Sequence, residues 1–418
     1  MRRSSLSRGR QIATVSALGA AALVFVALFA QRHGFFDLNV YYGAVRFWTS
    51  GGEIYDFVRP NSTYGFTYPP FAALAMLPMA VLSWPAAIVV SSAATALVTW
   101  WLLRLLLGPV IAAQRWTPWF TVAVALCLVT VYEPMRETFL FGQVNMLLLG
   151  VVAADLLLFT RKDSRWGGVG IGLATAIKLT PGIFIVYLLI TKRWRAAAVA
   201  SGTAAAATLV AGAVAPDATR EFWTSALWDT DRVGVLSFIS NQSLQGVVAR
   251  LTAGHPSKAL WAVLVVAVLA VWFVRSRAAV ARGDEVAGLA FTGIIGVLIS
   301  PVTWVHHLVW LIPALVLLVE RGFAAAPGSR RRWALLGLAG VSYVILSSRV
   351  VWLWEGEVGG FGTLLGSNLY VWVCLALLCC TPLAARPDGS AAPEGAAQLG
   401  DVDVAAVRPV RRPKAVRV

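Results

Sequence analysis

Asp37 stands among aromatic and apolar neighbours in HGFFDLNVYYGAVRFW, residues 33–48, and the next acid along the chain is Glu53. A carboxylate held beside Phe35, Phe36, Leu38, Val40, Tyr41 and Tyr42 is only partly hydrated. That raises its pKa and makes it a better base. The same residue could also be a helix N-cap or a plain solvated acid. YEPMRETFLFGQVN, residues 132–145, gathers Glu133, Arg136, Glu137, Gln143 and Asn145. Glu and Arg at helix spacing make an ordinary surface pair, whereas Gln143 and Asn145, at the start of an apolar run, suit a hydroxyl-rich ligand. GLATAIKLTPG, residues 172–182, sets Lys178 and Pro181 at the apex of an apolar hairpin. A charge at membrane depth is a functional candidate, here for a lipid phosphate; snorkelling to the interface is the alternative.

Two later stretches complete the polar inventory. WDTDRVGVLSFISNQSLQG, residues 228–246, holds Asp229, Asp231, Arg232, Asn241 and Gln242. Its D-x-D spacing serves metal and nucleotide binding in soluble glycosyltransferases, but no nucleotide-binding βαβ pattern accompanies it. SPVTWVHHLVW, residues 300–310, puts His306 beside His307. Adjacent helical residues point about 100° apart, so the two do not readily chelate one ion. No H-E-x-x-H spacing exists either, and we expect neither a metal nor a cofactor. One histidine is expected to face the loop cluster as a phosphate or hydroxyl partner.

The elements that must position these residues are membrane spans. The 418 residues are 58% hydrophobic and only 13% charged, with mean hydropathy +0.73. A soluble chain is about a quarter charged. We place spans at roughly 11–30, 86–107, 117–132, 144–160, 166–178, 181–191, 196–215, 259–274, 286–300, 305–320, 333–346 and 367–383. The first follows a basic stretch (Arg2, Arg3, Arg8, Arg10) and reads as an uncleaved anchor, since Leu28-Phe29-Ala30 is a poor cleavage site. Of the 35 Lys and Arg, 25 fall in one set of loops and the two terminal segments. That set is cytoplasmic by the positive-inside rule, which places both termini inside. The rule also accounts for the net charge of +15 without nucleic acid. The outer loops, 31–68, 133–143, 216–258, 300–305 and 347–366, then hold His33 and His255, and His306 and His307 follow directly on the 300–305 corner. PPFAALAMLPMAVL, residues 69–82, is too short to span and reads as a helix lying in the outer interface. Cys127, Cys374, Cys379 and Cys380 lie in apolar runs and carry no disulfide or metal spacing. Residues 1–383 form the membrane module. Residues 384–418, rich in Ala, Pro and Gly with a basic end, form a disordered tail with a possible affinity for anionic headgroups.

In this order, DLNVYYGAVRFWTSGGEIYDF, FTYPPFAAL, FGQVNMLLLGVVAADLL, GLATAIKLTPGIFIVYLL, DTDRVG with SNQSLQG, and ISPVTWVHHLVW resemble the GT-C membrane glycosyltransferases of family 87. Together these motifs cover about residues 35–310. The family includes polyprenyl-phosphate-mannose-dependent α-1,2-mannosyltransferases of actinobacteria. The resemblance implies a GT-C fold; with the twelve spans and the interfacial segment placed above, the expectation is an all-α GT-C-type bundle of about twelve transmembrane helices whose first outer loop carries interfacial helices. It implies a cell-membrane enzyme that moves mannose, with inversion, to a phosphatidylinositol mannoside or lipomannan acceptor on the extracytoplasmic side. Asp37 becomes the catalytic base. Lys178, Arg136, His306 and His307 become the phosphate partners, and Tyr41, Tyr68, Gln143, Asn145, Asn241 and Gln242 the sugar partners. The alternative, a transporter or flippase of a lipid-linked sugar, predicts ionisable groups near the midplane and repeated halves; here those groups gather outside and no repeat is evident.

Overall fold

The computed structural model describes residues 6–29, 33–229, 232–252, 256–356 and 360–385. The expectations placed on Arg2, Arg3, Asp231, His255 and the tail beyond residue 385 lie outside them. The described part through Ala384 forms one unit. Among the described residues the regular structure is helical, and strand pairing is confined to one isolated bridge between Val58 and Gly65.

Helix α1 (Arg8–Phe29) carries no charge after Arg10. A left-handed turn at Gly34 and Phe35 separates it from α2 (Phe36–Thr49). Helix α3 (Pro70–Met76) opens at the paired prolines, because Pro70 fits a first helical position where no N–H is needed. Its Ala72, Ala73 and Met76 pack with Leu38, Val40 and Tyr41 of α2 in a small core of their own. Helix α4 (Trp84–Gln114) is the longest. Helices α5 (Pro118–Val131) and α6 (Glu133–Phe141) meet at a 73° bend. Tyr132 is extended there, and Pro134 has no N–H to give back to α5.

Helix α7 (Asn145–Ala154) runs into a π-helical turn, Asp155–Phe159. The Asp155 carboxylate turns back to accept from Gly168 N (2.7 Å) and Ile171 N (2.9 Å), two backbone donors at the start of α8 (Val169–Ile177). After a 3-10 turn at Thr180–Gly182 come α9 (Ile183–Ile190) and α10 (Trp194–Val214), which packs on α8. Helix α11 (Pro216–Glu221) runs into a second π-helical turn, Phe222–Ala226, and a loop leads to α12 (Leu244–Leu251), whose N-cap Ser243 accepts from Gly246 N. Then follow α13 (Lys258–Val280), α14 (Glu285–Ile299), a 3-10 segment Val305–Leu311, α15 (Ile312–Ala324), α16 (Arg330–Ser347), α17 (Phe361–Ser367) and α18 (Leu369–Cys380). Helices α14, α15 and α18 contribute much of the main core.

Among the described residues, five helices can cross a bilayer by length and composition: α1, α4, α10, α13 and the run Val305–Ala324. The bent pairs α5–α6 and α17–α18 bring the number to seven. This is fewer than the twelve spans expected from the sequence. The difference lies in apolar runs that the backbone interrupts. The α14 helix has 15 residues, a rise of about 22 Å against a hydrocarbon core of about 30 Å. The expected spans 166–178 and 181–191 become the short helices α8 and α9, parted by Lys178, Thr180 and Pro181.

Candidate active site

A cavity of about 700 Å³ is lined by residues of α2, α6, the turn after α8, the 222–240 segment and the 300–307 corner. Asp37 faces it from the first turn of α2. The residue is half-buried overall, yet its Oδ2 is shut off from solvent with no hydrogen-bond partner. Burial pushes the Asp37 carboxyl up to about 6, against the opposing effects of the Gln143 amide, Lys178 and His33. The N-terminal end of a helix favours an anion, so α2 itself supports the ionised form. Asp37 is held in place by Leu38 and Tyr41, both buried, and by Gly142 at the end of α6. A Cβ on Gly142 would stand 2.5 Å from the Leu38 Cβ, and φ there is +70°. Only glycine lets α6 and α2 approach so closely.

One hydrogen-bonded network leads from Gln143 to Lys178. The Gln143 amide lies close enough to the Asp37 carboxylate to favour its ionised form. Its Oε1 accepts from Asn145 Nδ2 at 3.0 Å and from the Tyr68 hydroxyl at 3.3 Å, which leaves the amide N–H groups for Asp37. The Tyr41 and Tyr68 hydroxyls lie 2.9 Å apart. Burial holds both phenols well above their ordinary pKa, so they remain protonated donors. Lys178 Nζ donates to Asn145 Oδ1 at 2.9 Å and to the Tyr68 hydroxyl at 3.2 Å. Helix α8 stops at Ile177 and Lys178 is extended, which turns the side chain off the helix and into this cluster.

His306 and His307 take different positions. Their rings lie 4.7 Å apart and nearly perpendicular, as adjacent residues of a 3-10 turn require. His307 Nε2 is 3.0 Å from Lys178 Nζ, and its Nδ1 accepts from Trp304 N. His306 packs against Phe141 and lines the cavity, and its buried Nε2 has no partner. The structure therefore brings Asp37, Tyr41, Tyr68, Gln143, Asn145, Lys178, His306 and His307 to one place.

Arg136, Asn241 and Gln242 lie elsewhere. The Arg136 guanidinium donates to the backbone oxygens of Val131 and Ser347, which joins the α5–α6 bend to the end of α16. Asn241 Nδ2 donates to Leu236 O and Pro301 O, and Thr303 N donates to Asn241 Oδ1. Gln242 Nε2 donates to Ile239 O and Ser367 O. These side chains satisfy backbone groups that have no partner within their own element, at the ends of α5 and α16 for Arg136 and in irregular segments for Asn241 and Gln242. The i, i+3 pair expected of Glu133 and Arg136 is replaced by Glu133 bonds to Trp352 Nε1 and the Tyr370 hydroxyl, with Arg349 at 3.7 Å.

Sequence reasoning did not single out His33 or Glu137 as site residues. Both line the cavity, with His33 Nε2 2.9 Å from Glu137 and Arg349 3.2 Å from the same carboxylate. Position 349 is more than 200 residues away in sequence, so no local spacing signals it. Aromatic walls are supplied by Phe36, Tyr64, Trp304 and Trp352. The arrangement gathers a carboxylate, nitrogen donors and aromatic rings around one cavity.

The profile of glycosyltransferase family 87 matches residues 66–301, more than half of the chain. The chain is 34% identical over 348 residues to a polyprenol-phosphate-mannose-dependent alpha-(1-2)-phosphatidylinositol mannoside mannosyltransferase of Mycobacterium tuberculosis, covering 78% of this chain and 79% of that one. It is 35% identical over 304 residues to the protein of the same description in Mycolicibacterium smegmatis, covering 67% and 68%. It is 32% identical over 356 residues to a polyprenol-phosphate-mannose-dependent alpha-(1-2)-phosphatidylinositol pentamannoside mannosyltransferase of Mycolicibacterium smegmatis, covering 80% and 82%. No solved structure matches the chain. The chain belongs to glycosyltransferase family 87.

Proposed function

We propose that this family 87 chain transfers mannose from polyprenyl phosphate mannose to a hydroxyl of a phosphatidylinositol mannoside or a related mannosylated lipid, forming an α-1,2 linkage with inversion. The observation that carries the mechanism is that Asp37 and Lys178 line one cavity, with the Gln143 amide beside the carboxylate and joined through Tyr68 and Asn145 to the amine. The donor's polyprenyl chain lies in the bilayer and its phosphate sits by Lys178, His306 and His307. The acceptor hydroxyl lies at Asp37. As its oxygen bonds the anomeric carbon, its proton passes to the carboxylate and the bond from that carbon to the phosphate oxygen breaks. Phosphate is a good leaving group, so nitrogen donors that stabilise its growing charge replace a general acid. One carboxylate suffices here, where glycoside hydrolases use two.

On this reading the shorter helices complete a GT-C-type bundle of about twelve crossings. Helix α7 does so by continuing through its π-helical and 3-10 turns, and α9 by starting at Thr180. The distribution of Lys and Arg supports cytoplasmic termini and an extracytoplasmic cavity.

The test is Asp37→Asn, which is nearly isosteric and cannot take a proton. Purified protein given radiolabelled polyprenyl phosphomannose and a phosphatidylinositol mannoside should lose about 10²–10⁴-fold in transfer rate. Full transfer by the variant sinks the base assignment. No transfer by the native protein to any mannosylated lipid sinks the acceptor class.

A further inference from the structure

The hydrogen bonds around Lys178 determine which atoms donate. The Trp304 N–H points at His307 Nδ1 (3.1 Å), so that nitrogen accepts. The proton of a neutral imidazole then sits on Nε2, which is 3.0 Å from Lys178 Nζ. The other two partners of Nζ accept from it. Asn145 is oriented by its Nδ2, which donates to Gln143 Oε1, so its Oδ1 faces Nζ as an acceptor. The Tyr68 hydroxyl gives its hydrogen to Gln143 Oε1 and keeps its oxygen for Nζ. Nζ therefore donates twice and receives once. A neutral amine, with two N–H bonds and one lone pair, fits that count. An ammonium has three N–H bonds and no acceptor, so it would face the His307 N–H donor to donor. Protonating Nδ1 instead would set it against the Trp304 N–H.

We propose that Lys178 and His307 stand as a neutral amine–imidazole pair, and that a phosphate anion entering the cavity draws one proton from solvent onto Nζ. This rests on the reading of the cavity as the seat of a polyprenyl-phosphate donor. A phosphate oxygen accepts from Nζ and Nε2 together, so the two donors converge on the anion and cease to oppose one another. The charge is created only when there is an anion to balance it, which avoids burying a lone ammonium beside apolar segments. The donors also run in one direction from Trp304 N–H through His307, Lys178 and Asn145 to Gln143. The titratable groups facing the pair are Asp37 through Gln143, Tyr41 and Tyr68 from the first outer segment, and His306 beside His307.

Calorimetric titration counts the proton. Detergent-solubilised Asp37→Asn protein is titrated with polyprenyl phosphate near neutral pH, in buffers of different ionisation enthalpy. The Asp37→Asn background removes the carboxylate that would itself bind a proton when an anion arrives. About one proton should be taken up per anion bound. In Asp37→Asn with His307→Gln, the amide carbonyl can accept from an ammonium, so binding should persist with the uptake lost. Binding without uptake overturns the neutral pair and leaves the donor reading standing. Uptake that survives His307→Gln also overturns it, because the proton then goes elsewhere. Absence of binding overturns both readings.

Discussion

In the proposed mechanism Asp37, whose carboxyl burial pushes up to about 6, sets the acid side of the rate profile. As the proposed base it must be ionised to accept the acceptor's proton. The kcat/KM of transfer should therefore fall about tenfold per pH unit below that value and level off above it. Gln143 supplies the hydrogen bond that opposes the effect of burial, so Gln143→Met should move this limb to higher pH. A pH series of initial rates checks both statements, and an acid limb unmoved by Gln143→Met contradicts the assigned contact. Asp37 and Lys178 were legible in the sequence because each is an ionisable residue where an apolar neighbourhood makes charge unfavourable. Arg136, Asn241 and Gln242 looked alike as residue types, yet they serve buried carbonyls of the α5–α6 bend and the 236–243 loop. Nothing local separates an amide that binds a ligand from one that satisfies backbone, since the partners at Ser347 and Ser367 are distant in sequence.

At the scale of elements, the site depends on α2 lying against the end of α6. Gly142 permits that contact, and Gly142→Ala adds a Cβ that meets Leu38 at 2.5 Å, on a backbone with φ +70°. A left-handed alanine and an overpacked contact should together destabilise the fold by about 2–4 kcal/mol. Because the displaced element carries Asp37, transfer should fall more steeply than donor binding. Thermal unfolding in detergent beside kcat and donor KM would show this. An unchanged Tm with unchanged kcat would mean that α2 is not held here. The helix start at Pro70 and the polar turn at Lys178 could both be anticipated, one from paired prolines and the other from a lone charge before a proline. The fate of the runs near 166–191 could not. Both runs are shorter than a full span of about 20 residues, and hydropathy alone does not separate a half-helix from a longer span that continues past the run; they are the short helices on either side of Thr180–Gly182.

For the whole molecule, the asymmetry of its charge gives an orientation that labelling can test. Of the 35 Lys and Arg, 25 lie in the terminal segments and the loops assigned to the cytoplasm, and the proposed orientation puts the cavity residues on the other face. Thr63 is exposed in the segment between α2 and α3, and Ala326 is exposed between α15 and α16. The native thiols must first be replaced by serine, because Cys379 and Cys380 are exposed and would react themselves. In that background, Thr63→Cys should react with a membrane-impermeant maleimide on intact spheroplasts. Ala326→Cys should react only after lysis. The reverse pattern would put the cavity on the cytoplasmic face, where Asp37 and Lys178 would have to meet a donor facing inward. Labelling of both positions on intact spheroplasts would place the segment before α3 and the turn before α16 on one side. An odd number of crossings would then have to be added or removed between residues 63 and 326, most directly at α7, α8, α9 or α14, whose lengths do not decide the matter alone.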